Sequence, residues 1–138
     1  MLATQILLVQ DGTDDIGLTT RALQESKLAN LPALALNGSG ALAYLAANQK
    51  HSTPHLVLLD FDNLGMTGVS FLRRLRADPS LDGVVVIGLG AATHAHQAAE
   101  CYPLGMPAFL SKPLAGDELI EAVGGIDGLG FSIVVQES

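Results

Sequence analysis

The chain of 138 residues has one cysteine, no tryptophan and only seven lysines and arginines. A lone cysteine excludes an internal disulfide, and Cys101, in an apolar helical segment, is expected to fill the core rather than act as a nucleophile. The N-terminal residues MLATQILLVQDG lack the basic region and the long apolar stretch of an export signal. Together with the lack of a disulfide framework, this predicts a cytoplasmic protein.

Charge and hydropathy narrow the class of protein further. The formal net charge of −7 argues against nucleic acid as a direct partner, because phosphate backbones require a basic surface. Arg73, Arg74 and Arg76 lie close together in the sequence, but we expect them on the solvated face of a helix. No segment reaches the length of a membrane span, so we expect no membrane partner. With 49% apolar and 15% charged residues, the chain is predicted to form one globular domain.

Short apolar segments alternate with segments of helical spacing. The predicted strands cover residues 5–9, 34–36, 56–59, 84–89 and 108–110. The first predicted helix begins at Thr13, and the others cover residues 39–49, 69–77, 93–102 and about 114–124. This alternation predicts a parallel α/β sheet covered by helices on both faces. Thr93 is expected to cap the fourth helix, and the nearby His94 and His96 are expected to be surface residues.

The last residues of the chain differ in character from the rest. Glycines at 124 and 125 end the fifth helix, and the segment from Phe131 to Gln136 is β-prone. We therefore expect a domain over residues 1–125 and a tail over residues 126–138. The tail is open to three interpretations: an added edge strand, a homodimer contact or a disordered end. An ordered contact is favoured.

Polar residues follow the predicted strands at one edge of the sheet. Ligands of open parallel sheets collect at the carboxyl ends of the strands, which here carry Gln10, Asp11, Asp60, Gly90, Ala91 and Lys112. Asp60 is expected at a solvent-exposed rim facing Lys112. Convergent carboxylates repel, and Mg²⁺ relieves that repulsion while keeping several waters. A metal beside a carboxylate and a lysine suits phosphoryl transfer, whereas an ion pair without chemistry is the alternative.

Four motifs carry a resemblance to a known family: LLVQDGTDD, PHLVLLDFDNLGMTG, FLRRLRADPSL and LGMPAFLSKP. Over about residues 6–123 the chain resembles the response-regulator receiver domains of two-component signalling. FLRRLRADPSL and the long second linker further resemble the short, single-domain regulators that serve phytochrome-type histidine kinases. The resemblance implies a flavodoxin-like (βα)5 fold, doubly wound, with strand order 2-1-3-4-5.

The resemblance also assigns roles to the residues of the rim. It implies that Asp60 accepts a phosphoryl group from a histidine kinase or a phosphotransfer protein. Asp11 would hold Mg²⁺ together with Asp60 and the backbone carbonyl of Asp62. Lys112 would pair with the phosphoryl group, and the Lys112–Pro113 bond is expected to be cis. The protein would be a signalling module and not an enzyme.

The sequence departs from the family pattern at several positions. Gln10 replaces the first of two acids, so Mg²⁺ is expected to bind more weakly, although the amide can still ligate and Asp62 compensates in part. Gly90 replaces a hydroxyl residue that would donate a hydrogen bond to the phosphoryl group. Losing that hydrogen bond is expected to lower the population of the active state by about 10- to 100-fold. The expected switch region consists of Gly90, Ala91 and Phe109. In the family, the rotamer of the aromatic residue at the position of Phe109 reports phosphorylation. Leu64 replaces a loop proline.

Two other functions remain open at this stage. A pseudo-receiver would keep the fold and signal through binding alone, without phosphate, which Gln10 and Gly90 favour. A haloacid-dehalogenase-type phosphatase would use Asp60 as nucleophile and Asp62 as acid/base. That family usually has its motif on the first strand, whereas DFDNL follows the third predicted strand. The sequence therefore favours a receiver domain with an intact acceptor and a partly degenerate switch.

Overall fold

The protein is a five-stranded parallel sheet with helices on both faces, seen in a computed structural model that describes residues 5–25, 32–48, 55–62 and 65–124. The strands are β1 (Gln5–Val9), β2 (Ala33–Ala35), β3 (His55–Asp60), β4 (Val85–Gly90) and β5 (Ala108–Ser111). Every neighbouring pair is parallel, and the order is β2-β1-β3-β4-β5. The expected doubly wound sheet and its strand order are therefore confirmed.

Five α-helices follow the five strands in turn. They are α1 (Thr13–Glu25), α2 (Gly38–Ala47), α3 (Gly68–Arg76), α4 (Ala95–Cys101) and α5 (Gly116–Gly124). Two of them begin at side-chain caps that satisfy a free backbone N–H group. The Asn37 side chain accepts from the N–H of Gly40 at 2.8 Å, and Thr67 Oγ1 accepts from the N–H of Ser70 at 3.0 Å. Among the described residues, no helix is long and apolar enough to cross a membrane.

The core forms two layers, one on each face of the sheet. On β1, Leu7 and Val9 join the layer under α2, α3 and α4, whereas Ile6 and Leu8 join the layer under α1 and α5. Successive strand residues point to opposite faces, and both faces of this sheet are covered. A central strand must therefore be apolar at every position, which explains its continuous hydrophobic sequence. At the edge, β2 leaves Leu34 exposed.

Every strand and helix boundary lies within two residues of the sequence prediction, and β4 begins and ends one residue later than expected. β2 lies one residue earlier than expected. The fourth helix begins at Ala95 and not at residue 93, because residues 92–94 form a 3₁₀ turn. The expected cap by Thr93 is wrong, since His94 holds the N-cap position of α4 and makes no side-chain cap bond within the described chain. The predictions for Leu64 and for residues 126–138 lie outside the described residues.

Arg76 has a structural role. The expectation that it lies on a solvated basic face is wrong. Its guanidinium is partly buried and donates to the carbonyl oxygens of Leu104 at 3.0 Å and Val84 at 2.9 Å, with a longer bond to Asp82 at 3.4 Å. Burial lowers the pKa of Arg76, and the charge of Asp82 acts in the opposite direction. The side chain therefore ties the end of α3 to the start of β4 and to the segment before β5.

Replacing Arg76 with methionine is expected to lower the free energy of unfolding by about 2 kcal/mol, because buried carbonyl groups lose a charged donor. Urea denaturation followed by far-ultraviolet circular dichroism measures the change. Arg73→Met is the matched control, since Arg73 is exposed on the same helix and its loss should change stability by less than about 0.5 kcal/mol. Equal effects of the two substitutions would contradict an anchoring role for Arg76.

Candidate functional site

Asp60 ends β3, the central strand, and lies under other side chains rather than in solvent. Its Oδ2 accepts from Lys112 Nζ at 2.9 Å and from Gln10 Nε2 at 3.0 Å, and its Oδ1 accepts from the backbone N–H of Asp62 at 2.8 Å. The residue is 1% exposed. The expectation that Asp60 faces Lys112 agrees with the structure, but the expectation of a solvent-exposed rim is wrong. Gln10, directly after β1, and Lys112, directly after β5, cover the carboxylate.

Lys112 is the cation at the centre of three carboxylates. Its Nζ lies 2.8 Å from Asp15 Oδ2, 2.9 Å from Asp60 Oδ2 and 2.5 Å from Asp62 Oδ2. Burial alone would lower the pKa of Lys112, but hydrogen bonds to Asp15, Asp62 and Asp60 outweigh burial and raise that pKa well above its ordinary value. The ammonium is therefore charged at every physiological pH. The Lys112–Pro113 peptide bond is cis, as expected.

Asp62 bridges Lys112 and a second donor, His94. Asp62 Oδ1 lies 2.5 Å from His94 Nε2, while Oδ2 contacts the ammonium. The hydrogen bond from Lys112 lowers the pKa of Asp62, burial raises it, and His94 lowers it further, so that the net shift is downward. An ionised carboxylate only accepts hydrogen bonds, so Nε2 of His94 carries the hydrogen. His94 is partly exposed, as expected of a surface histidine, but it also has a contact that was not expected, which connects the turn after β4 to the loop after β3.

Asp11 lies on the open side of the same region. It lines a cleft of about 560 Å³ together with Leu36, Asn37, Asp62 and Gly65. The side chain of Asp11 is exposed, in contrast to Asp60. The structure thus brings Asp60, Asp62 and Lys112 into direct contact and puts Asp11 on the wall of the adjoining cleft.

The donor groups around the cleft are compatible with a hydrated divalent cation. Asp11 provides an exposed carboxylate, and Gln10 Oε1 is a buried oxygen that has no hydrogen-bond partner among the described residues. Mg²⁺ prefers oxygen ligands and often takes one or two carboxylates and several waters. Across residues 5–25, 32–48, 55–62 and 65–124, no three acidic, histidine or cysteine side chains are arranged to hold an ion unaided. A metal at this cleft would therefore depend on water ligands.

Phe109 packs over the end of β4, where glycines leave room for its ring. A Cβ atom at Gly88 would lie 2.7 Å from Phe109 Cδ2, and one at Gly90 would lie 3.0 Å from Phe109 Cζ and 3.2 Å from His94 Cδ2. Phe61, next to the acceptor carboxylate, meets Phe109 edge-on with ring centroids 5.1 Å apart. Gly90 stands where the family has a hydroxyl side chain. The space that this side chain would occupy is filled by Phe109 and His94.

The backbone at position 90 also joins the site. The carbonyl oxygen of Gly90 accepts from the N–H of Lys112 at 3.1 Å, which fixes the ends of β4 and β5 relative to one another. Ala91, the other residue of the expected switch region, is exposed and precedes the 3₁₀ turn that carries His94. The carboxyl edge of the sheet thus brings together a buried carboxylate, a lysine and a turn held by a histidine.

This chain matches a family of known signalling domains. The family model described as "Response regulator receiver domain" matches residues 6–124. The chain is a response-regulator receiver domain. Receiver domains are signalling modules of two-component systems, which agrees with the resemblance found in the sequence.

Individual similar proteins include response regulators of phytochromes. "Response regulator Rre1" of Synechocystis sp. is 36% identical over 86 residues, which cover 62% of this chain and 36% of that protein. The solved bacteriophytochrome response regulator RtBRR is 30% identical with a TM-score of 0.78, and the similarity covers 99% of this chain and 84% of that one. The phosphorylated cyanobacterial phytochrome response regulator RcpA is 28% identical with a TM-score of 0.68, covering 92% of each chain.

Sequence reasoning missed two members of the site, Asp15 and His94. Asp15 lies in the first turn of α1, where an acidic residue favours the helix N-terminus, yet it also holds Lys112. Its position in the first turn of α1, shortly after the end of β1, was the available signal, because that turn begins at the carboxyl edge of the sheet. For His94 the only signal was its position four residues after Gly90, at the start of the fourth helix.

Proposed function

We propose that this receiver domain accepts a phosphoryl group on Asp60 from a phosphohistidine of a histidine kinase or of a phosphotransfer protein. The observation that carries the proposal is the buried Asp60 carboxylate with Lys112 Nζ 2.9 Å from its Oδ2. The same lysine is held by two further carboxylates, which keep it charged and oriented. The phosphorylated form of the similar regulator RcpA adds support by analogy.

The proposed chemistry is a direct transfer between two nucleophiles. An oxygen of the Asp60 carboxylate forms a bond to phosphorus while the phosphorus–nitrogen bond of the phosphohistidine breaks. The nitrogen keeps the electron pair of that bond and takes up a proton from solvent. Lys112 faces the negative oxygens of the transferred group, because charge neutralisation and positioning provide most of the catalysis in phosphoryl transfer.

Mg²⁺ is the cofactor that this site would take. Asp11 on the cleft wall is the first candidate ligand, with Asp60, the backbone carbonyl of Asp62 and Gln10 Oε1 as further candidates. When bound, Mg²⁺ would neutralise charge on the phosphoryl oxygens. Because Gln10 is neutral and its Nε2 faces Asp60, the site has one negative charge fewer than a pair of acids would give. We therefore expect weak binding of Mg²⁺.

Phosphorylation of the intact chain tests the proposal. The protein is incubated with Mg²⁺ and acetyl phosphate, and its mass is measured intact. We expect a single phosphoryl adduct in the wild type and none in Asp60→Asn. Asp117→Asn is the matched control, since Asp117 is an exposed carboxylate in the first turn of α5. An adduct that survives Asp60→Asn would show that another residue is the acceptor.

A phosphate-independent pseudo-receiver is the second candidate function. Two observations favour it: both oxygens of Asp60 already accept hydrogen bonds, and Gly90 provides no hydroxyl beside the site. Absence of any adduct in the wild type at high acetyl phosphate would favour this function. A homodimer through residues 126–138 stays a prediction.

A phosphatase of the haloacid-dehalogenase type fits the site poorly. Its acid/base would be Asp62, whose pKa is lowered by Lys112 and His94. A carboxylate that stays ionised near neutral pH is a poor proton donor to a leaving group. Continuous release of phosphate from a phosphomonoester, abolished in Asp60→Asn, would revive this alternative.

A further inference from the structure

The contact between Asp62 and His94 is the strongest feature of the site that the proposed function does not use. One carboxylate accepts from two donors that come from different elements: Lys112 at the end of β5 and His94 in the turn between β4 and α4. The side chains of Asp62 and His94 are 28% and 22% exposed. The pair is therefore partly exposed, but Lys112, which is 15% exposed, holds the same carboxylate from the inner side.

The position of His94 explains why the contact matters. A side chain at Gly90 would run into Cδ2 of His94 at 3.2 Å, so the imidazole stands beside the place that a side chain on the last residue of β4 would occupy. Its ring also meets Phe61 edge-on, with centroids 6.3 Å apart. His94 therefore brings a hydrogen-bond donor from the β4–α4 turn to the carboxyl edge of the sheet, close to position 90. Its Nε2–H is directed at Asp62.

The carboxylates around Lys112 compete for one ammonium group. Lys112 contacts Asp15, Asp60 and Asp62, so its Nζ already serves three anions. A phosphoryl group on Asp60 removes one carboxylate charge but adds up to two charges of its own, with three acceptor oxygens. A phosphoryl group on Asp60, whose Oδ2 lies 2.9 Å from Lys112 Nζ, would compete with Asp62 for the same donors.

We propose that Asp62 and His94 form an exchange latch: in the resting domain the Asp62 carboxylate holds Lys112 and His94, and a phosphoryl group on Asp60 takes both donors in its place. This inference rests on the proposed function. Gly90 has no hydroxyl that could connect the end of β4 to the phosphoryl group. The latch provides such a connection through His94 in the β4–α4 turn. It also restrains the resting domain, because Asp62 must release Lys112 before transfer is complete. His94 acts in the resting state as a positioning residue.

The rate of phosphorylation by acetyl phosphate in the presence of Mg²⁺ measures the latch in the intact chain. Loss of a hydrogen bond to a charged group corresponds to about a tenfold change in rate. We therefore expect His94→Ala and Asp62→Asn to form the Asp60 adduct about tenfold faster than the wild type. His96→Ala is the matched control, an exposed histidine two residues away, and should leave the rate unchanged. His94→Gln should restore the slow rate, because its side-chain amide donates from nearly the same position as Nε2.

A second measurement follows the imidazole itself. Proton–nitrogen spectra of the histidine rings are recorded before and after addition of beryllium fluoride and Mg²⁺. On addition of beryllium fluoride and Mg²⁺, we expect the Nε2 resonance of His94 to shift in the wild type and to stay in place in Asp60→Asn. Before the addition, the chemical shift of this resonance should already differ between Asp62→Asn and the wild type. His96 should not respond in any of them.

The outcomes separate the latch from the acceptor role. An adduct that forms at equal rates in the wild type, His94→Ala and Asp62→Asn, with a silent His94 resonance, overturns the latch and leaves the acceptor role intact. An adduct that forms in none of the variants overturns the acceptor role and the latch together. An adduct that forms in the wild type and about tenfold faster in His94→Ala and Asp62→Asn supports both. Circular dichroism of each variant identifies any rate change that comes from unfolding.

Discussion

Replacing Lys112 with methionine is expected to lower the free energy of unfolding by about 3 kcal/mol near neutral pH, because a buried carboxylate loses its cation. Lys112 Nζ contacts Asp15, Asp60 and Asp62 at 2.8, 2.9 and 2.5 Å. Methionine fills a similar volume without charge, so the change isolates the electrostatic contribution. Asp60, which is 1% exposed, cannot recover the lost interaction by turning to solvent. Urea denaturation measures the difference.

Two further variants make the interpretation of Lys112→Met specific. Arg74→Met removes an exposed cation from α3 and should change the unfolding free energy by less than about 0.5 kcal/mol. In the double variant Lys112→Met with Asp60→Asn, most of the stability should return, since an amide oxygen still accepts from the N–H of Asp62 and no buried charge remains unpaired. A loss below about 1 kcal/mol in Lys112→Met would show that water replaces the ammonium effectively.

The second large effect is expected at Gly88, where an alanine should lower the free energy of unfolding by about 2 kcal/mol through overpacking. The added Cβ would lie 2.7 Å from Phe109 Cδ2, 3.0 Å from Phe61 Cε1 and 3.2 Å from Met106 Sδ. These groups belong to the core layer of one sheet face, so they have little room to retreat. Thermal and urea denaturation both measure the loss.

Gly83→Ala is the matched control for Gly88→Ala. A Cβ at Gly83 meets no described atom within 4 Å, so this variant should be neutral or slightly more stable. Combining Gly88→Ala with Phe109→Leu should show a coupling of about 1 kcal/mol, because the smaller side chain relieves the contact. Strictly additive effects would mean that the ring moves away at little cost.

The strands could be predicted because both faces of the sheet are covered. β1 was predicted at residues 5–9 and forms there, since a strand buried on both sides needs an unbroken apolar sequence. β2 was displaced by one residue, because an edge strand of three residues with an exposed Leu34 has a weaker pattern. The start of α4 was wrong because a 3₁₀ turn takes up residues 92–94 before it.

The site could be predicted only as far as chain topology determines it. The carboxyl ends of parallel strands share one edge, so the meeting of Asp60 and Lys112 followed from strand order. The contacts of Lys112 with Asp15 and of Asp62 with His94 join residues that are 97 and 32 positions apart. Such contacts depend on side-chain conformation across different elements, which no local periodicity encodes. The burial of Asp60 has the same origin, because Gln10 and Lys112 fold over it.

The packing of Phe109 against β4 restricts the order in which this sequence can acquire substitutions. A hydroxyl residue introduced first at position 90 would meet the ring, since its Cβ would lie 3.0 Å from Cζ of Phe109. The ring must therefore shift before position 90 can carry a side chain. A smaller residue introduced first at position 109 would make room there but would lose the edge-on contact with Phe61. The residues that positions 90 and 109 can carry are therefore coupled.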